Sequence, residues 1–287
     1  MSSANVDGFN FNAIYVFNSL RVNERDTAEE LFNDVIKVRG YQLPELSTHL
    51  IDVPDRDTLF AELGKINTKC KNEGECPIIH LEMHGNKQGV GMRSGEFVMW
   101  EDLKGALTNI NISCNLNLFI TLAVCKGSYL MQLINPLEPA PFWGIVGSFE
   151  TIKNYDLLVR YSGFYDSLLT EFDFNKASLA LYEQNPSLPT DYRFINAEMT
   201  FKNVIHNYHS TKFGSTITLK ARFNSVVKDE KLKFSSKEEK NKHFVKFAAK
   251  ANREKEETFL TYKNKFFMID LFPGNQERFK IDFKEVS

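Results

Sequence analysis

The most constraining feature of the sequence is a regular alternation of strand-like and helix-like segments over its first 150 residues. Five short runs rich in β-branched and aromatic residues predict strands, at 12–20, 47–54, 77–84, 115–125 and 142–150. Segments with apolar residues at helical spacing lie between them, at 25–40, 55–72 and 100–111. This order predicts an α/β fold with a mainly parallel sheet flanked by helices on both faces. Functional groups in such a sheet lie at the carboxyl ends of the strands.

The charge of the chain divides it into two unequal parts. Residues 1–200 carry 16 Lys and Arg against 26 Asp and Glu, whereas residues 201–287 carry 19 against 11. Helical spacing continues from residue 193, and the closing segment LFPGNQERFKIDF, residues 271–283, indicates a turn and a short strand. We therefore expect an α/β domain over 1–200 and a helical, basic accessory subdomain over 201–287. Because acidic residues interrupt nearly every lysine cluster of the second part, we expect paired, solvated helix faces and no nucleic-acid binding.

The chain has no feature of an exported or membrane protein. Its first twelve residues lack the basic and apolar regions of a secretory signal, and no apolar run is long enough to cross a bilayer. The cysteines show no framework spacing; they are Cys70, Cys76, Cys114 and Cys125. These observations predict a cytoplasmic protein with reduced thiols and no membrane association.

The segment CPIIHLEMHG, residues 76–85, has two histidines four residues apart. His80 and His84 would share a metal if the segment were helical, but its apolar start and terminal glycine favour a strand. On a strand, side chains from 80 to 84 spread over more than about 10 Å. A zinc deaminase would also carry P-C-x-x-C, and no such spacing exists among the four cysteines. We therefore expect no metal and no cofactor.

Thiol chemistry fits the same segment better. His84 ends one predicted strand, and Cys125 ends the next long strand 41 residues later. In adjacent parallel strands an imidazole and a thiol would lie side by side, and the imidazole could take the thiol proton and later protonate a leaving amine. Gly85 allows close approach of a substrate to the backbone. The N–H groups of Gly85 and Cys125 are the expected donors to an oxyanion. The alternative is that Cys125 is an ordinary buried core cysteine.

An apolar strand ending in His-Gly (IIHLEMHG), followed by one ending in cysteine (LFITLAVCKGS), resembles the caspase-like cysteine peptidases of clan CD. The resemblance covers residues 12–200, and the hairpin after the histidine is most similar to the bacterial CHAT-type branch. It implies a caspase-like fold and an endopeptidase that cleaves a protein substrate with His84 and Cys125 as the catalytic dyad. It also implies a bacterial effector that a regulatory protein partner or a signal activates.

The same resemblance implies pocket residues, and the chain departs from its relatives at several of them. Ala123 stands where metacaspases have an aspartate that binds a basic side chain, so substrate preference does not transfer. The strand after the cysteine lines the cleft in this family, which makes Ser148 and Glu150 pocket candidates. Glu82 is a candidate for orienting His84. Arg25 lies in RVNERDT, which resembles the caspase loop that reads an acidic side chain.

A second class of function stays open at this point. A caspase-like fold without activity would act as an interaction module, with the basic C-terminal region binding a partner. The presence of both His84 and Cys125 favours the peptidase, because a scaffold needs neither. Release of new peptide termini by the wild-type chain, and its loss without Cys125, distinguishes the two.

Overall fold

A computed structural model describes residues 4–6, 8–183, 191–213 and 215–286. The strands of the described residues, in chain order, are β1 (Ala4–Val6), β2 (Phe9–Phe11), β3 (Ala13–Asn18), β4 (Ser47–Asp52), β5 (Pro77–Glu82), β6 (His84–Asn86), β7 (Gly89–Gly91), β8 (Phe97–Met99), β9 (Phe119–Ala123), β10 (Gly144–Ser148) and β11 (Tyr192–Asn196). The helices are α1 (Thr27–Leu31), α2 (Lys37–Gly40), α3 (Arg56–Glu73), α4 (Trp100–Ser113), α5 (Asn154–Glu171), α6 (Phe174–Glu183), α7 (Ala197–Phe213), α8 (Thr216–Asp229), α9 (Lys237–Phe266) and α10 (Asn275–Arg278). A π-helical turn, Phe32–Ile36, joins α1 to α2, and 3-10 helices span Gly127–Leu133 and Phe283–Glu285.

Six strands form the central sheet in the order β11-β10-β9-β5-β3-β4. The five strands from β10 to β4 run parallel, and β11 pairs antiparallel with β10. Strands β3, β5, β9 and β10 are buried along their whole length, as expected of strands covered on both faces. The prediction of a mainly parallel α/β sheet with helices on both faces is confirmed.

Each face of the sheet is covered by helices. Alternate strand residues such as Ile79, Leu81 and Ile120 join one apolar core with Leu63 of α3 and Leu107 of α4. The opposite set faces α5: the Tyr161 hydroxyl donates to the Val146 carbonyl oxygen at 3.3 Å, and the Tyr165 hydroxyl lies 2.6 Å from Thr121 Oγ1. The sheet therefore has an apolar α3/α4 face and a mixed, partly polar α1/α5 face.

Helical spacing predicted a helix from residue 193, and that prediction is wrong for 193–196, which belong to β11. Tyr192, Phe194 and Ile195 are β-prone, and pairing with β10 satisfies their backbone groups. The helix α7 begins directly after this strand, at Ala197. Tertiary pairing here overrides a short stretch of helical pattern.

The chain divides into two compact units. One contains residues 1–135 and 139–197, and the other contains 136–138 and 198–287. The second unit is helical, and its aromatic rings pack on one another. The ring centroids of Phe201 and Phe266 lie 5.3 Å apart, and those of Phe267 and Phe279 lie 4.6 Å apart. Glu238–Lys242 and Lys250–Glu254 form ion pairs along α9. Among the described residues, no helix combines the length and the apolar character needed to span a bilayer.

Candidate active site

The pairing of β5 with β9 brings the two predicted catalytic residues to the same edge of the sheet. These strands are parallel and adjacent, with Glu82 opposite Ala123 in the last pair of the ladder. His84 lies two residues after Glu82, and Cys125 lies two residues after Ala123. The chain therefore leaves both strands at the same carboxyl edge, where His84 begins β6 and Cys125 precedes a turn.

The backbone of Gly85 packs closely on the chain that leads to Cys125. A Cβ atom at residue 85 would lie 2.3 Å from Val124 Cγ1, 3.0 Å from the Gly89 carbonyl oxygen and 3.3 Å from the Cys125 carbonyl oxygen. No side chain fits in this space without a shift of Val124. The position after the histidine therefore has no room for a side chain, because Val124, the residue before the cysteine, occupies that space.

His84 and Cys125 contact loops on the same face of the sheet. His84 Nε2 lies 2.8 and 3.1 Å from the two carboxylate oxygens of Glu24, in the loop before α1. The Ile152 N–H, in the loop before α5, donates to Cys125 Sγ at 3.4 Å. Both loops precede helices of the α1/α5 face, and each of them contacts one of the two predicted catalytic side chains.

The chain turns sharply after Cys125, at the carboxyl edge of the sheet. Lys126 has a left-handed φ of 61°, and its N–H donates to the Glu150 carbonyl oxygen at 3.0 Å. The Gly127 N–H donates to the Val124 carbonyl oxygen at 3.0 Å, which closes the turn. Cys125 itself is partly exposed, so it is not the sealed core cysteine of the alternative interpretation.

Two of the predicted pocket residues do not line an open pocket. Glu82 is 1% exposed, and its carboxylate accepts hydrogen bonds from the Thr27 hydroxyl and binds His80 Nε2 at 3.1 Å. It therefore does not orient His84, and that prediction is wrong. Ser148 is 2% exposed, and its hydroxyl accepts the Glu150 N–H at 2.9 Å, so it stabilises the loop after β10 from below.

The other two pocket candidates are accessible. The side chain of Glu150 is exposed beside the turn that follows Cys125. Arg25 is exposed but is held by Glu30 through two hydrogen bonds of 2.7 and 2.6 Å. These hydrogen bonds and the charge of Glu30 raise the pKa of Arg25. Roles for Glu150 and Arg25 in substrate recognition stay predictions.

His80 belongs to a buried polar network and not to a site shared with His84. Its Nδ1 atom lies 2.7 Å from Thr121 Oγ1, and its Nε2 atom contacts Glu82, so both ring nitrogens are engaged. Burial raises the pKa of Tyr165, which closes the network at Thr121. Within the described ranges no group of three or more His, Cys, Asp or Glu side chains is arranged to hold a metal ion.

Sequence reasoning missed Glu24, which is the one described side chain that hydrogen-bonds to His84. Glu24 lies in the charged loop RVNERDT, for which the sequence pattern predicts a role of the neighbouring Arg25 only. Partial burial raises the pKa of Glu24, but hydrogen bonds from His84 and from the Arg21 N–H outweigh it, so that the pKa lies below its ordinary value. The carboxylate is therefore ionised near neutral pH.

The chain matches no family model and no curated protein sequence. The chemistry of the residues at the carboxyl edge of the sheet must therefore indicate the function.

Proposed function

We propose that the protein is a caspase-like cysteine endopeptidase in which His84 and Cys125 form the catalytic dyad. The observation that carries the proposal is that His84 and Cys125 each lie two residues beyond the last pair of the adjacent parallel strands β5 and β9, Glu82 and Ala123. Partial exposure of both reacting groups supports it further, since a substrate must reach them. A compartment that keeps the four free cysteines reduced, such as the cytoplasm, suits a thiol nucleophile.

The reaction proceeds by acyl transfer through the thiol. The imidazole of His84 takes the proton from Cys125 Sγ, and the thiolate forms a bond to the scissile carbonyl carbon. The carbonyl π electrons move to oxygen and return when the C–N bond breaks, and His84 gives its proton to the leaving amine. Water then attacks the thioester, His84 takes a proton from that water, and the thiol is regenerated with release of the acid.

The N–H groups of Gly85 and Cys125 are proposed to donate to the oxyanion of the tetrahedral intermediate. Backbone donors suit this role because the folded chain holds them in place before the charge develops. The missing side chain at Gly85 lets its backbone pack against Val124, and we propose that this packing positions the Gly85 N–H relative to Cys125. Loss of one such donor typically costs about 10²–10³ in kcat.

Thiol alkylation tests the dyad without any substrate. Cys70 and Cys114 are 2% and 4% exposed, whereas Cys76 and Cys125 are both partly exposed. Exposure alone predicts that Cys76 and Cys125 react with iodoacetamide at similar rates. Because an imidazole assists only Cys125, we expect it to react about tenfold faster near pH 7. Peptide mapping by mass spectrometry measures both rates in one sample.

The matched control is His84→Ala, which should slow alkylation of Cys125 and leave Cys76 unchanged. Equal rates at the two cysteines, insensitive to His84→Ala, contradict the dyad.

Chelators should leave peptide cleavage intact. Activity that is lost to a chelator and restored by zinc would instead favour metal chemistry at the histidines.

A further inference from the structure

Glu24 contacts His84 in a way that selects one tautomer of the imidazole. Both carboxylate oxygens lie within 3.1 Å of Nε2, and the side chain of Glu24 is only 23% exposed. A carboxylate is only an acceptor, so Nε2 must carry the proton that it donates to Glu24. In the neutral ring, Nδ1 is then the unprotonated nitrogen. Among the described residues no hydrogen bond engages Nδ1.

We propose that Glu24 is the positioning residue of the site, which holds His84 as the Nε2–H tautomer so that Nδ1 is the base for Cys125. The inference rests on the proposed function and names a third member of its catalytic arrangement. Glu24 acts through His84 and touches no reacting atom. Its carboxylate also stabilises the imidazolium that forms when His84 takes the thiol proton.

The backbone around Glu24 is anchored, which a positioning role requires. The Glu24 N–H donates to the Arg21 carbonyl oxygen at 3.0 Å, and the Arg21 N–H donates to Glu24 Oε2 at 3.3 Å. These two bonds close a turn over residues 21–24. The carboxylate is thus oriented by its own loop as well as by the histidine.

Both ends of the loop are tied to the carboxyl edge of the sheet. At its start, the Ser19 N–H donates to the Glu82 carbonyl oxygen at 3.0 Å. At its end, Asn18 Nδ2 lies 2.9 Å from both oxygens of Asp26, the N-cap of α1. Buried Thr27 donates its hydroxyl to Glu82. Glu82 therefore supports the site indirectly, because it ties the end of β5 to both ends of the loop that carries Glu24.

Nitrogen NMR of the full chain labelled with 15N-histidine tests the inference directly. At a pH at which the imidazole is neutral, the two ring 15N shifts of His84 report the tautomer populations, and His84→Asn assigns the signals. We expect wild-type protein to show a protonated Nε2 and a bare Nδ1. In Glu24→Ala the two shifts should move toward each other, because the free ring exchanges between tautomers. Glu24→Gln keeps an acceptor oxygen and should retain the wild-type tautomer.

Peptide cleavage supplies the second readout. We expect Glu24→Ala to lower kcat about tenfold, part of the 10²–10⁴-fold that general acid–base catalysis contributes, with KM changed by less than about twofold. The kcat of Glu24→Gln should lie between that of the wild-type protein and that of Glu24→Ala. Glu29→Gln is the matched control, since Glu29 is exposed, lies in the same segment and loses the same charge. It should change neither the shifts nor kcat.

The two readouts distinguish failure of this inference from failure of the proposed function. A protonated Nδ1 in wild-type protein, or shifts unchanged in Glu24→Ala, overturns the positioning role whatever the activity. The expected shifts without any cleavage support the Glu24–His84 geometry and overturn the peptidase. A loss of cleavage in Glu29→Gln equal to that in Glu24→Ala would also overturn the inference, because a general charge effect would then explain both.

Discussion

Replacement of Cys125 by alanine is expected to lower peptide cleavage by at least about 10³-fold, because the nucleophile acts as a unit with its base and neither works alone. The substitution removes only a sulfur atom from a partly exposed side chain, so the fold should persist. The measurement is incubation of wild-type protein and Cys125→Ala with a proteome-derived peptide library, followed by identification of the newly formed amino termini. The sequence around those termini also reports the cleavage-site preference.

Cys76→Ala is the matched control for this experiment. Cys76 is also a partly exposed free cysteine, but it precedes β5 and therefore lies at the opposite, amino edge of the sheet. Its loss should leave cleavage unchanged. Cleavage that survives Cys125→Ala contradicts the dyad, and a wild-type chain that produces no new termini favours the interaction module over the peptidase.

Replacement of Gly85 by alanine is expected to impair both stability and catalysis. The new Cβ would lie 2.3 Å from Val124 Cγ1, so Val124 or the backbone must move. Overpacking of this kind costs about 1–3 kcal/mol of the free energy of unfolding. A shift of about 1 Å between the histidine and the cysteine should lower kcat about 10²-fold. Urea denaturation and peptide cleavage measure the two effects.

Gly105→Ala in α4 is the control for the glycine itself. Apart from the neighbouring backbone of α4, no heavy atom lies within 4 Å of a Cβ at residue 105, so the substitution should raise the free energy of unfolding by about 0.5–1 kcal/mol. A double variant, Gly85→Ala with Val124→Ala, removes the clash between the new Cβ and Val124 Cγ1 and should recover part of the stability. A Gly85→Ala protein with wild-type stability and wild-type kcat would show that the close approach has no role.

The sheet and its candidate dyad could be predicted from local sequence signals. Strand-like runs that alternate with helical spacing indicate a parallel sheet, because parallel strands need a crossover between them. The runs that end near His84 and Cys125 then fall at the same edge of that sheet. The structure bears out the sheet and brings these two strand ends together. Whether the pair is catalytic stays a prediction for the experiments above.

Other features depended on contacts between distant segments. Glu82 has the residue type of an orienting acid, but its carboxylate is buried against Thr27 and His80, whereas β5 ends at Glu82 and His84 belongs to β6. Glu24 and Arg25 are neighbours in one charged loop. The conformation of that loop places Glu24 against His84, whereas Arg25 forms its hydrogen bonds with Glu30. The alternation of strands and helices over residues 12–150, and the residues near the strand ends, follow from periodicity along the chain and could be predicted from it. The contact of Glu24 with the histidine and the packing of Gly85 on Val124 could not be predicted, because they depend on side-chain direction and on the packing of elements far apart in sequence.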